Sequence, residues 1–434
     1  MNKLINLFLI FIFISGCSLN KNSKFWSNTE EIISDNGINY QEVFPIEEAL
    51  KKEFNSNLSI NLTSKSVNRT SVNNFLNNTG RLNFDGNLKK SSRYKFSKIE
   101  NFSQYQPEIS FFNNNIIFFD NKGSILKFDD KSNLIWKKNY YSKAQRKLKP
   151  ILQFVNNDRY LIVTDNIAKY YILDIISGEL IWTKNNIAPF NSQIKIYKDK
   201  FFVIDLSNTL RCFSIKDGTE LWNIKTENSL IRSQKKLSMV IIDDKIYFNN
   251  SIGDISSVNI NNGNLLWQLP TQSNLIYEAA FSLQTSDIIS DKKTLFFSNN
   301  KNQFFSVDIK TGSFNWKNKI NSNLKTTLID DYLFSVSIEG YLIITEKNSG
   351  NIIRVTDVFQ SFKIKKRKNI KPTGFVVGLN KIYLSTSNGR LLVIDIITGK
   401  TISVLKIDSE KISKPFVLNK NLFLIKDNSI IKLN

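Results

Sequence analysis

Few residues in this chain could do covalent chemistry, and their types narrow what it can be. The 434 residues contain no His, which removes Ser-His-Asp and Cys-His nucleophilic pairs, His-ligated metals and the commonest general base. Two cysteines are present. Cys17 ends the run Ile14, Ser15, Gly16, Cys17, behind Lys3 and an apolar stretch from Leu4 to Ile14. That stretch is too short to span a bilayer and has the layout of an export signal with a lipoprotein cleavage box, so Cys17 is expected to become a lipidated N-terminus. Cys212, in the alternating run from Leu210 to Ile215, is then left without a disulfide partner and is expected to be a small core residue. Catalysis is disfavoured, and no metal or cofactor is expected.

The acidic residues that stand out do so at turns. Asp174, Asp308 and Asp395 each precede a Ser-Gly or Thr-Gly pair, at Ser177-Gly178, Thr311-Gly312 and Thr398-Gly399. Asp at such a place hydrogen-bonds its own backbone and shapes a turn. Four of these units continue as Gly-x-x-x-Trp: Gly178 to Trp182, Gly218 to Trp222, Gly263 to Trp267 and Gly312 to Trp316. Degenerate copies frame them at Ser132 to Trp136, Gly350 to Arg354 and Gly399 to Ser403. Successive anchors are 46, 40, 45, 49, 38 and 49 residues apart, a period that belongs to propeller blades or helical arrays.

Within each period the runs are short and alternating, as in Phe201 to Asp205, Leu210 to Ile215 and Glu220 to Lys225, so the elements are antiparallel strands. Gly253, Gly340 and Gly389 lie 14 residues before their anchors, and Asn208 and Asn302 hold the same place. Gly and Asn tolerate the positive φ of tight hairpins, and Ala168 and Gly123 complete that column. Four-stranded antiparallel blades of this length build a β-propeller. After the seventh anchor, Phe416 to Leu418, Leu422 to Ile425 and Ser429 to Leu433 supply three more strands and the chain stops. Ser91 to Ser97 can supply the missing one, which predicts an all-β ring of eight blades, closed by an N-terminal strand, with Tyr94 near the Trp position. The expected divisions are 1–16 signal peptide, 17–88 mostly flexible tether and lead-in with a short helix over 46–54, and 89–434 propeller.

The repeat is not of the WD40 type, which needs His, nor of the kelch type, which uses Gly-Gly doublets. Tyr171 to Trp182 and Val307 to Trp316 resemble the quinoprotein-type repeat, Leu/Val-x-Asp-x-x-Thr/Ser-Gly-x-x-x-Trp. That resemblance implies that Trp136, Trp182, Trp222, Trp267 and Trp316 pack as core between neighbouring blades, each contributing at most roughly 4 to 6 kcal/mol. With the lipoprotein box and the polar tether, the whole resembles the BamB family of outer-membrane β-barrel assembly lipoproteins. The resemblance implies a non-enzymatic scaffold, lipid-anchored on the periplasmic face of the outer membrane. Its partner would be the POTRA domains of a BamA-like barrel, with unfolded outer-membrane proteins as a further partner, and Ser18 after Cys17 fits outer-membrane sorting.

Members of that family dock through a Leu-x-Leu-Arg loop. Here Leu230, Ile231 and Arg232 occupy the corresponding place after Trp222, with Lys235 and Lys236 following. The acidic residues of the next such connection are replaced by Phe281 to Thr285, with Glu278 nearby. A formal charge of +21 points to anionic surfaces, although an exported lipoprotein rarely meets nucleic acid. The basic runs Lys143 to Lys149, Arg232 to Lys236 and Lys363 to Lys371 all follow an anchor, which places them on one face of a ring. Alternatives are an envelope propeller that binds polysaccharide or lipid, and a pyrroloquinoline-quinone dehydrogenase. The dehydrogenase family usually shows a vicinal Cys pair, and none occurs here.

Overall fold

The first three strands of each repeat are nearly continuous in apolar residues and the fourth alternates, and that difference sets the architecture. In the computed structural model Met239–Ile242 and Ile125–Phe128 are buried along their whole length, while Glu220–Lys225 and Leu180–Asn185 turn one side to solvent. A strand buried on both faces must be sandwiched between sheets, whereas an alternating one sits at a rim. The structure describes residues 60–434 except 72, 101, 103, 106, 227–232, 234 and 272–282, all within the unit Ile46–Asn434. The helix expected over 46–54 and Cys17 lie outside the described residues.

The strands form eight four-stranded antiparallel sheets, each running from its first strand inward to its fourth outward. This is the eight-bladed propeller read from the repeats. Blade 1 begins at Ser110–Phe112 and blade 7 ends at Thr401–Lys406. Blade 8 takes Phe416–Leu418, Asn421–Ile425 and Ser429–Leu433 from the C-terminus and Lys90–Lys95 from the N-terminus. In that closing pair Tyr94 faces Ile430 and Lys95 faces Ser429. The core is a series of layers between adjacent blades: Val155 and Ile162 of blade 2, for example, pack with Phe201 and Phe213 of blade 3.

The hairpin between second and third strands follows one pattern in successive blades. Asp120, Asp165 and Asp205, all buried, each accept two backbone N–H groups of the turn that follows. The turn closes on a residue of positive φ: 74° at Gly123, 56° at Asn208, 57° at Asn302 and 71° at Ala168. For an L-residue with a Cβ this conformation costs roughly 1 to 2 kcal/mol, part of which Gly gives back as unfolded-chain entropy. Ala168→Gly is therefore expected to stabilise the fold by about 0.5 to 1 kcal/mol, read as a higher urea midpoint at unchanged slope.

The composition argues for a loose lead-in, and here the structure differs. From Ile60 to Leu88 the chain is docked around the ring, and Leu82 and Phe84 are fully buried. Backbone amides of Thr63 and Ser64 donate to Asp330 of blade 6, and that of Thr70 to the Val417 carbonyl of blade 8. Further along, Asn73 accepts from the Ile196 amide, Phe75 from Ile241 and Leu76 from Ser290, before the Leu82 amide donates to Val377 of blade 7. A cleft of about 210 Å³ remains between Arg69, Asn73 and the inner-strand residues Phe111 and Asn156. The segment has few apolar residues because its order comes from hydrogen bonds to the strand ends of the ring, which no periodicity in its own sequence reveals.

Candidate docking face

Each connection from the outer strand of one blade to the inner strand of the next arrives at the start of an inner strand, so these connections share one face. The lead-in meets the opposite ends of those strands, near the hairpins that follow Ile241, Ser290 and Leu328. Two of the connections fold as short helices, α1 (Lys143–Lys147) and α2 (Ile364–Arg367). Ser142 caps α1 and exchanges hydrogen bonds with Gln145, while Arg367 is tied to Asp357 at 2.7 Å. Lys143, Lys147, Lys365 and Lys366 remain exposed. These two connections, and the one between blades 2 and 3, present aliphatic side chains that sequence reading passes over: Leu148 is 62% exposed, Ile364 75% and Ile187 94%. A lone aliphatic residue inside a polar connection is the signal that could have found them.

Leu230, Ile231 and Arg232 lie outside the described residues, as does Glu278 with the first part of the run from Phe281. Lys235 and Lys236, expected with them on the open face, are instead turned toward the axis of the ring. Lys236 Nζ is 2.9 Å from Glu108 of blade 1, and Lys235 Nζ donates to the Asn323 carbonyl ahead of blade 6. They have these partners because the chain enters the inner strand of blade 4 directly afterwards, at Met239, and is already close to the channel.

The Trp residues are half-buried rather than core, because the outer strand has only one packed side. Trp182 lies on Gly218 of the next blade, where an added Cβ would sit 2.6 Å from the ring, and its Nε1 donates to the Ile215 carbonyl at 2.9 Å. Trp267 and Trp316 donate in the same way to Ile309 and Lys347, and Trp136 donates to Ile176. Tyr94 takes this position in blade 8, its hydroxyl donating to the Asp130 carbonyl at 3.1 Å. Trp222 packs on Gly263, but among the described residues its Nε1 finds no acceptor.

Groups of a type that does chemistry elsewhere are held here in structural work. Asp174 accepts from the backbone amides of Ile176 and Ser177, and the Ser177 amide above all holds its carboxyl below the usual carboxylate range. Asp308 and Asp395 cap their turns identically. Cys212 is fully buried, and burial pushes its thiol up to about 12. Among the described residues no three His, Cys, Asp or Glu converge to hold a metal.

The family model for the outer membrane protein assembly factor BamB matches residues 121–356, more than half of the chain. The chain belongs to the BamB family. A BamB of Shewanella oneidensis is 24% identical over 218 residues, which cover 44% of this chain and 53% of that protein, so the chain spans about half the length of this relative. An uncharacterized protein of Rickettsia prowazekii is 22% identical over 329 residues, covering 73% of this chain and 76% of the other. The crystal structure of BamB from Moraxella catarrhalis superposes with a TM-score of 0.65 at 16% identity, over 80% of this chain and 99% of that one. A quinohemoprotein alcohol dehydrogenase from Comamonas testosteroni gives 0.60 at 9% identity, over 81% and 78%. These structural likenesses speak to the propeller fold that BamB shares with quinoproteins.

Proposed function

We propose that this chain is a non-enzymatic scaffold of outer-membrane protein assembly. It is anchored through a lipid on Cys17 at the periplasmic side of the outer membrane and docked by its outer-to-inner connections onto the periplasmic POTRA domains of a BamA-like barrel. Membership of the BamB family is the observation that carries the reading. The docking face supports it: exposed lysines of α1 and α2 are interleaved there with Leu148, Ile187 and Ile364. Apolar points in a cationic field suit a partner with an acidic, partly apolar surface, since charge steers the encounter and buried aliphatic groups hold it. The residues that fix the contact are Leu230 and Arg232, on the connection between blades 3 and 4.

Leu230→Ala combined with Arg232→Ala is expected to abolish co-purification with the BamA-like barrel from crosslinked cells at moderate salt. Circular dichroism and the urea midpoint of the isolated variant should be unchanged. Undiminished recovery of the barrel would sink the assignment, and recovery of lipid or polysaccharide in its place would favour an envelope-binding propeller.

A further inference from the structure

The inner strands line the axis of the ring, and their pairing register shows which residues stand at one level. Ser110, Lys195, Ile289, Thr327 and Phe416 pair with equivalent positions of the second strands, Ile117, Phe202, Phe296, Phe334 and Phe423. Two residues earlier, on the same side of each strand, stand Glu108, Gln193, Asp287, Lys325 and Lys414. Lys195 lies one layer deeper, toward the lead-in, and Lys236 one layer nearer the docking face. Glu108 of blade 1 pairs with Lys236 of blade 4 across the axis and with Lys414 of the neighbouring blade 8, and Gln193 of blade 3 donates to Asp287 of blade 5 at 3.2 Å. Gly374 holds this level in blade 7, and a Cβ there would collide with that of Lys414, so the missing side chain is what admits the lysine.

The charges do not balance. Lys195, Lys235, Lys236, Lys325 and Lys414 converge on two carboxylates, Glu108 and Asp287. Glu108 is shared between Lys236 and Lys414. Among the described residues Asp287 has no lysine within ion-pair distance, and Lys325 has neither a hydrogen-bond nor an ion-pair partner. The far end of the channel is occupied by the lead-in, where Lys195 Nζ donates to the Asn74 carbonyl and to Asn77 Oδ1, each at 2.6 Å. Ammonium groups gathered away from bulk water repel more strongly than in water, and a cleft lined by one sign concentrates the opposite one.

We infer that the lysine cluster at the axis of the ring is a binding site for a small multivalent oxyanion bearing carboxylate or phosphate groups, held among Lys236, Lys325 and Lys414. Such a ligand supplies the counter-charge that Glu108 and Asp287 do not. It also couples binding to protons. Burial, reinforced by Lys325 and Lys236 and opposed by Glu108 and Asp287, pushes Lys195 down to about 7. Burial pushes Lys325 down to about 8 with help from Lys414 and Lys236, against Asp287 and Glu108, and pushes Lys235 to about 8. Below these values the lysines are already charged and binding is strong; above them each must take up a proton first, so affinity falls as pH rises. This site is independent of the docking reading, because it rests on inner-strand residues and not on the connection through Leu230.

Isothermal titration of the full chain tests it. Sulfate, whose charge is constant across the range, is expected to bind one site roughly tenfold more tightly near pH 6.5 than near pH 8.5. Phosphate and citrate, titrated in parallel, assign the class by which binds more tightly. Lys325→Met should weaken the better ligand at least about tenfold and Lys325→Arg should restore it, whereas Lys365→Ala on exposed α2 should change nothing. The urea midpoint confirms that each variant is folded, and Lys325→Met, which removes an unpaired charge, is expected to fold at least as well as the parent. Absence of saturable binding for all three anions, or Lys325→Met binding as the parent does, overturns the proposal.

Discussion

Trp182→Ala is expected to destabilise the fold by about 3 kcal/mol, toward the low end for Trp truncation because the ring is half-buried. The loss has three parts: the area covered on Gly218, the hydrogen bond from Nε1 to the Ile215 carbonyl, and the edge contact with Tyr170 at 5.8 Å. The sharper test is the pair. Gly218 has a φ of 70°, and any Cβ there meets the Trp182 ring at 2.6 Å. Gly218→Ala should therefore cost about 2 to 3 kcal/mol, from backbone strain plus the clash. In the Trp182→Ala background the clash disappears, and the same change should cost only about 1 kcal/mol of strain. Simple additivity in the urea-denaturation cycle would show that the blades are not joined through this contact.

Asn77→Ala comes next in size, with an expected loss of about 3 kcal/mol. Asn77 is 5% exposed, lies where the lead-in crosses the channel, and adopts a φ of 56°. Its amide nitrogen shares two protons among Gln193 Oε1, Ser238 Oγ and the carbonyls of Met239 and Ile288, and its Oδ1 accepts from Lys195. Removing the amide strips these buried groups, an ammonium among them, of a partner, which is why the cost exceeds that of one ordinary hydrogen bond. Asn77→Gly keeps the backbone free to hold positive φ, so it should recover roughly 1 kcal/mol of the loss and no more. If Asn77→Gly were within about 0.5 kcal/mol of the parent, the lead-in would be an attachment to the ring and not part of its fold.

How much of this is legible in the residues depends on the range of the interaction concerned. The Gly-x-x-x-Trp period and the Gly or Asn turn column are local. A hairpin that needs positive φ selects Gly or, next best, Asn, as at Asn208 and Asn302, so blade boundaries and blade number follow by counting. Closure by Lys90–Lys95 is legible for the same reason, since three strands without a fourth demand one from elsewhere in the chain. The fourth-strand Trp residues read as more buried than they are, because a large apolar side chain looks alike in sequence at a core and at a rim.

The sequence by itself determined the repeat, the all-β ring, its closure and the emergence of the connections after each anchor on one face, because each depends on backbone conformation or alternation within a few tens of residues. Only the tertiary structure decided that the polar lead-in from Ile60 is bound to the ring, that Lys235 and Lys236 turn inward, and that Glu108, Asp287, Lys325 and Lys414 meet at one level. Those four residues are separated by up to most of the chain, and each alone is an ordinary charged residue before an apolar strand. A propeller brings the starts of all its inner strands to one axis, and it is this rotation of many distant segments about a common line that turns scattered charges into a site.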